Sequence, residues 1–95
     1  MGTRKWHVSV FRAPKADRPN YYSISLTPVA HLGTVPRRDF HSLDEVINEL
    51  LFLGFTARTI SLAIESLGSR GEYVISGADI DDDIAVTYGW AKSGP

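Results

Sequence analysis

The side chains in this chain that could do acid–base chemistry are three histidines, His7, His31 and His41, and eleven aspartates and glutamates; there is no cysteine. Without thiols there can be no cysteine nucleophile, no thiolate metal ligand and no disulfide staple. His31 and His41 flank a long loop and could meet an aspartate in space, but three histidines among eleven acids would permit many such pairings. An exposed or capping histidine is the simpler role. No G-x-S-x-G elbow, phosphate-cradling G-x-x-x-x-G-K-[ST], H-E-x-x-H or dinucleotide glycine pattern occurs. No catalytic residue is nominated, enzyme activity is not expected, and no cofactor is implied.

Asp79-Ile80-Asp81-Asp82-Asp83 sets carboxylates at alternate positions, as the first half of an EF-hand loop does. Ile84 then stands where that loop needs its turn glycine, and Trp90 where it needs a bidentate glutamate. A solvated acidic turn is expected there, with no metal site.

Charge offers more than catalysis does. Up to His41 the chain has seven Lys and Arg against two acids, and from Ser42 onward three against nine. Such a split can mark an anion-binding face or a dipolar surface that helps solubility or head-to-tail association. Aromatic residues ringed by cations can stack unpaired bases while the cations hold phosphates. The basic part has Trp6, Phe11, Tyr21 and Tyr22 among Lys5, Arg12, Lys15, Arg18, Arg37 and Arg38. Trp6 and Tyr22 share the inward parity of Val8, Val10, Ile24 and Leu26, which leaves Phe11 and Tyr21 as the exposed pair. Arg12, Lys15, Arg18, Tyr21, Arg37 and Arg38 are therefore the candidate residues for an anion or a partner.

These side chains need elements to hold them. Period-two alternation predicts strands over Lys5–Arg12 and Tyr21–Thr27, joined through the Pro- and Asp-containing turn 13–20 into a hairpin with a basic tip. The long connection from Pro28 to Ser42 has a central proline and no helical period; a short strand is expected around Arg38–Phe40. Ser42 and Glu45 form a capping box, and Leu43, Val46, Ile47, Leu50 and Leu51 make a helical stripe expected to face the sheet, with Gly54 ending the helix. A second helix starts after Thr56 as N-cap, buries Ala57, Ile60, Ile64 and Leu67 and stops at Gly68. Glu72–Ser76 and Ile84–Tyr88 are expected to form a second hairpin, and Gly89–Pro95 a frayed tail.

Leu50 to Leu67 resembles a helix-turn-helix, with Gly54 at the turn-glycine position and Ile60 at the buried branched position six residues on. That resemblance implies duplex DNA binding by the second helix, through Arg58, Thr59 and Ser61, with the second hairpin as a wing. Against it, one arginine is thin support for reading DNA, and Asp79, Asp81, Asp82 and Asp83 on the wing would repel phosphates.

The whole reads as one α+β domain over residues 1–95, with a core over 4–88. Its expected layout is an antiparallel sheet of about four strands in ββααββ order, with an αα-hairpin packed on one face. The longest apolar run, Leu50–Leu53, is far short of the about 20 residues that span a bilayer, so no membrane partner is expected and the cytoplasm is the expected location. The expected function is a small non-catalytic binding or regulatory module that recognises a protein partner, itself included. The alternative is a nucleic-acid-binding domain, through the basic hairpin and loop or through the helix pair. The acidic turn yields the first test. Millimolar Ca²⁺ should leave the amide shifts of Asp79–Asp83 and the melting temperature unchanged, whereas saturable shifts confined to those residues would establish a metal site.

Overall fold

The computed structural model describes residues 3–12, 21–29, 33 and 35–90. Alternating apolar residues draw out β1 (Thr3–Arg12) and β2 (Tyr22–Pro28), followed by the short strand β3 (Arg37–Phe40). Two helices follow, α1 (Leu43–Phe52) and α2 (Ala57–Ser69), then β4 (Glu72–Asp81) and a single turn of helix, α3 (Asp82–Val86). The strands form one antiparallel sheet in the order β3-β2-β1-β4. The chain thus runs a three-strand meander, lays its helix pair over one face and returns β4 beside β1, with no parallel crossover. Among the described residues no helix is long and apolar enough to cross a membrane.

Cross-strand register fixes the two faces of the sheet. Val8 lies opposite Leu26 and Val10 opposite Ile24, and with Trp6 they are fully buried under the helices. The alternate residues make the other face polar: His7 opposes Thr27, Ser9 opposes Ser25, and Lys5 meets Asp79 in an ion pair at 2.8 Å.

The four antiparallel strands and the one-sided helix pair agree with the sequence pattern, but the elements after α2 differ from it. Glu72–Asp81 is one continuous strand, and Ile84–Val86 belongs to a helix where a returning strand was expected. Gly77 does not turn the chain. With φ +70°, it forms a bulge in which Ser76 and Gly77 together oppose His7. The aspartates then favour a helix start, since Asp82 and Asp83 occupy the first turn of α3, where the helix dipole is positive. The element order is therefore βββααβα, with β3 completing the four strands.

The C-terminal segment is also less of a tail than its composition suggests. Tyr88 is buried, and Trp90 packs edge-on against Trp6 with ring centroids 5.6 Å apart while its Nε1 donates to the Leu26 carbonyl at 2.8 Å. Residues 91–95 lie outside the described part of the chain.

Both helices are bounded as their sequences dictate. Ser42 Oγ accepts from the Glu45 amide at 3.2 Å, and Thr56 Oγ1 from the Thr59 amide at 3.3 Å. Gly54, at φ +98°, closes α1: its amide donates to Leu51 O at 3.0 Å and that of Phe55 to Leu50 O at 3.1 Å, the paired bonds of a Schellman motif. Gly68 lies within α2, which continues to Ser69 and ends at Gly71 instead.

The buried face of α1 is rotated from the expected stripe. Val46 and Leu50 are core and Ile47 is half-buried, but Leu43 and Leu51 are exposed and Glu49 and Leu53 take their places. On α2, Ile60 and Leu67 are core and Ile64 packs against it, while Ala63 is buried and Ala57 exposed. Leu50 is fully buried at the centre of this packing. Leu50→Ala should cost about 2–5 kcal/mol in urea denaturation, and a loss below about half a kcal/mol would contradict the assignment.

Candidate binding surfaces

A carboxylate inside the α1 face organises one end of the molecule. Glu49 is 9% exposed, and its Oε2 accepts from the Tyr88 hydroxyl at 2.6 Å and from Arg38 Nη1 at 3.2 Å. The Arg38 guanidinium also lies over the rings of Phe40 and Tyr88, 5.6 and 5.5 Å from their centroids. Two consecutive elements, β3 and α1, and the distant chain after α3 thus converge on one carboxylate. Burial first, then the hydrogen bond to Glu49 and its negative charge, push the Tyr88 phenol far above the ordinary tyrosine value, with Arg38 acting in the opposite direction. The arrangement is a clamp.

The described candidate anion-binding residues differ in their partners. Arg12 is exposed at the end of β1. Arg37 is paired with Asp39 at 3.3 Å and Arg38 with Glu49 at 3.2 Å. Lys15 and Arg18 lie outside the described residues. Tyr21 corrects the sequence reading: it is only 3% exposed and offers no open ring for stacking. Its outward parity presumed an open sheet corner, but this corner is closed, and Ser23 two residues on is also fully buried with its Oγ donating to Asp39 Oδ1 at 2.7 Å. Phe11 is half-buried.

On α2, Arg58 and Ser61 are exposed, whereas Thr59 is half-buried and committed to the cap, its Oγ1 3.2 Å from that of Thr56. The wing that would complete a DNA-binding helix-turn-helix is not formed, because β4 is a single strand within the sheet. His41 is exposed ahead of α1 and His31 lies outside the described residues. Among the described residues no three His, Asp or Glu side chains are grouped so as to hold a metal.

No family model matches this chain, and no curated protein or solved structure matches it.

An apolar surface lies between the helices. A groove of about 560 Å³ is lined by Ile47, Leu51, Ala57, Ile60 and Ile64, with Ser61 and Glu65 on its rim. Leu51 and Phe52, at the end of α1, are 54% and 52% exposed. The sequence stripe hid this surface by assigning Leu51 to the core. The missed signal was a second helical spacing, since Val46, Glu49, Leu50 and Leu53 also fall at i, i+3, i+4 and i+7, with a glutamate among them.

The clamp generates a prediction in stability and in pH. Tyr88→Phe keeps the ring and removes the hydrogen bond to a charged acceptor, so it should cost about 1.5–3 kcal/mol near neutral pH. A phenol whose folded value is raised keeps its proton while the unfolded chain loses one, so its stabilisation is complete below about pH 10 and is lost above it, at up to about 1.4 kcal/mol per pH unit. Chemical denaturation at several alkaline pH values should show a shallower decline for Tyr88→Phe than for the parent chain. Equal slopes would mean that the hydroxyl is not held by Glu49.

Proposed function

We propose that this chain is a small, non-catalytic binding module whose α1–α2 face recognises a protein partner, a second copy of the chain being the partner that fits best. The observation that carries this reading is the exposure of Leu51, which lines the groove with Ile47, Ile60 and Ile64, next in sequence to the exposed Phe52 at the end of α1. A small domain needs nearly all its large apolar side chains inside, and covering one of this size gives about 1.5–3 kcal/mol. Two neighbouring ones left in water mark a face that gains by being covered. Leu51 and the hollow it lines lie on the same face, and a patch with both an apolar projection and a hollow can match itself across a twofold axis. The absence of cysteine suits a reducing compartment, and we place the chain in the cytosol.

Nucleic-acid binding through the N-terminal hairpin and loop is the competing reading. The ion pairs weigh against it, because at Lys5, Arg37 and Arg38 a phosphate would have to displace a carboxylate already within 4 Å. Arg12 has no ion pair among the described residues and is the point where an anion would have to start.

One set of amide spectra separates the two. Dilution from millimolar to micromolar concentration should move the amides of residues 47–52 and 57–65 selectively, and Leu51→Asp with Phe52→Asp should abolish that dependence without loss of the fold. If these amides do not respond to concentration, the self-recognising face is withdrawn. If short single-stranded RNA instead produces saturable shifts at Arg12 and Arg37–Phe40 that Arg37→Ala with Arg38→Ala removes, the nucleic-acid reading replaces it.

A further inference from the structure

The two edges of the sheet are not alike. β3 is a four-residue edge carrying Arg37, Arg38 and Asp39, the short and charged kind of edge that resists pairing with another chain. The edge at β4 has ten residues. Which of its backbone groups are free follows from register. The Arg12 amide donates to the carbonyl of Gly71, directly opposite, at 2.8 Å, so this is a hydrogen-bonded pair. Alternation in an antiparallel ladder then makes Val10–Tyr73 and Val8–Ile75 the next such pairs. The N–H and C=O groups of Glu72 and Val74 therefore point away from β1, and among the described residues no strand lies beyond them. Val74 is 52% exposed.

A groove of about 300 Å³ runs beside this stretch, lined by Ser66 and Arg70 from α2 and by Glu72, Tyr73 and Val74 from β4. Consecutive strand residues point to opposite faces of a sheet, so a groove touching all three must lie along the free edge itself. Arg70 stands at the end where β4 begins and has no carboxylate in ion-pair range among the described residues.

We propose that the free edge of β4 is a binding site for an extended C-terminal segment of a partner protein, which adds to the sheet antiparallel to β4 and places its terminal carboxylate on Arg70. Free backbone groups on Glu72 and Val74 call for an extended strand, the β-augmentation mode of peptide recognition. Direction follows from charge. A strand antiparallel to β4 brings its C-terminus to Arg70, whereas a parallel strand would bring an amine. Glu72 on the same groove disfavours acidic side chains further along the segment, so the negative charge belongs at its end. A second copy is a poorer occupant, because the Ser76–Gly77 bulge stops regular pairing after four residues, Glu72–Ile75. A stable dimer engages about 20–30 residues a side. This site is separate from the α1–α2 face and does not depend on it.

The probe is a library of random heptapeptides displayed with free C-termini. The strongest binder is then titrated, as the acid and as its C-terminal amide, into the isotope-labelled full chain. The acid should move the amides of Arg70, Glu72 and Val74, and both amidation and Arg70→Ala should weaken it about tenfold or more. Val74→Pro should abolish binding while preserving the fold, because proline is accommodated where the N–H faces out of a sheet. Leu51→Asp should leave binding unchanged. The proposal is overturned if no peptide is enriched, if the shifts map elsewhere, or if acid and amide bind equally well. It is also overturned if sedimentation shows a dimer that Val74→Pro dissolves, since a second copy would then occupy the edge.

Discussion

Removing a carboxylate from water costs several kcal/mol unless hydrogen bonds and a countercharge replace what is lost, and Glu49 is held under that constraint. The Arg38 guanidinium answers it from the strand just before α1 and the Tyr88 hydroxyl from near the C-terminus. Much of the geometry follows. α1 must turn Glu49 inward, which carries Leu53 into the core and Leu51 out of it. β3 must lie where Arg38 can reach the helix, although it pairs over only four residues. The chain after α3 must fold back far enough to deliver Tyr88, and Trp90 then reaches Trp6 and the β2 backbone. Neutral hydrophobic packing could not specify this arrangement so narrowly, because apolar side chains exchange neighbours at little cost whereas a buried carboxylate without its partners is expensive.

The same economy explains the charge split along the sequence. Basic residues of the first part meet acidic residues of the second in the folded chain: Lys5 on β1 with Asp79 on β4, and Arg38 on β3 with Glu49 on α1. Antiparallel return of β4 beside β1 brings the first of these together, and the clamp makes the second. Part of the linear charge asymmetry is thus neutralised within the fold. The Lys5–Asp79 pair, being exposed, adds little to stability and more to register, since a one-residue slip would move Asp79 to the opposite face of β4.

Local signals made part of this fold legible. Alternation located β1 and β2, two side-chain caps located the helix starts, and a glycine with positive φ located the end of α1; each depends on residues within a few positions of one another. What was not legible depended on contacts over long separations. Glu49 reads as solvent-facing until Arg38 and Tyr88 are known to be beside it, so the helix stripe was phased on Leu43 and Leu51 instead. Gly77 and the following aspartates look like a hairpin turn, and only the pairing of β4 with β1 on both sides of Gly77 shows that the glycine makes a bulge. Tyr21 has the parity of an exposed residue, which burial at a sheet corner overrides.

The placement of the unsatisfied surfaces follows from the same constraint. Because Glu49 takes a position on the inner face of α1, Leu51, which the stripe phased on Leu43 would have buried, is displaced to the helix flank beside α2. Because β3 is anchored by Arg38 and closed by its own charges, the edge left with regular, unpaired backbone is at β4, on the far side of the sheet. A core organised around one carboxylate thus sets aside two surfaces of different chemistry, apolar side chains at the helix pair and backbone donors and acceptors at the β4 edge. They share only α2, the first using residues up to Glu65 and the second Ser66 and Arg70 at its end.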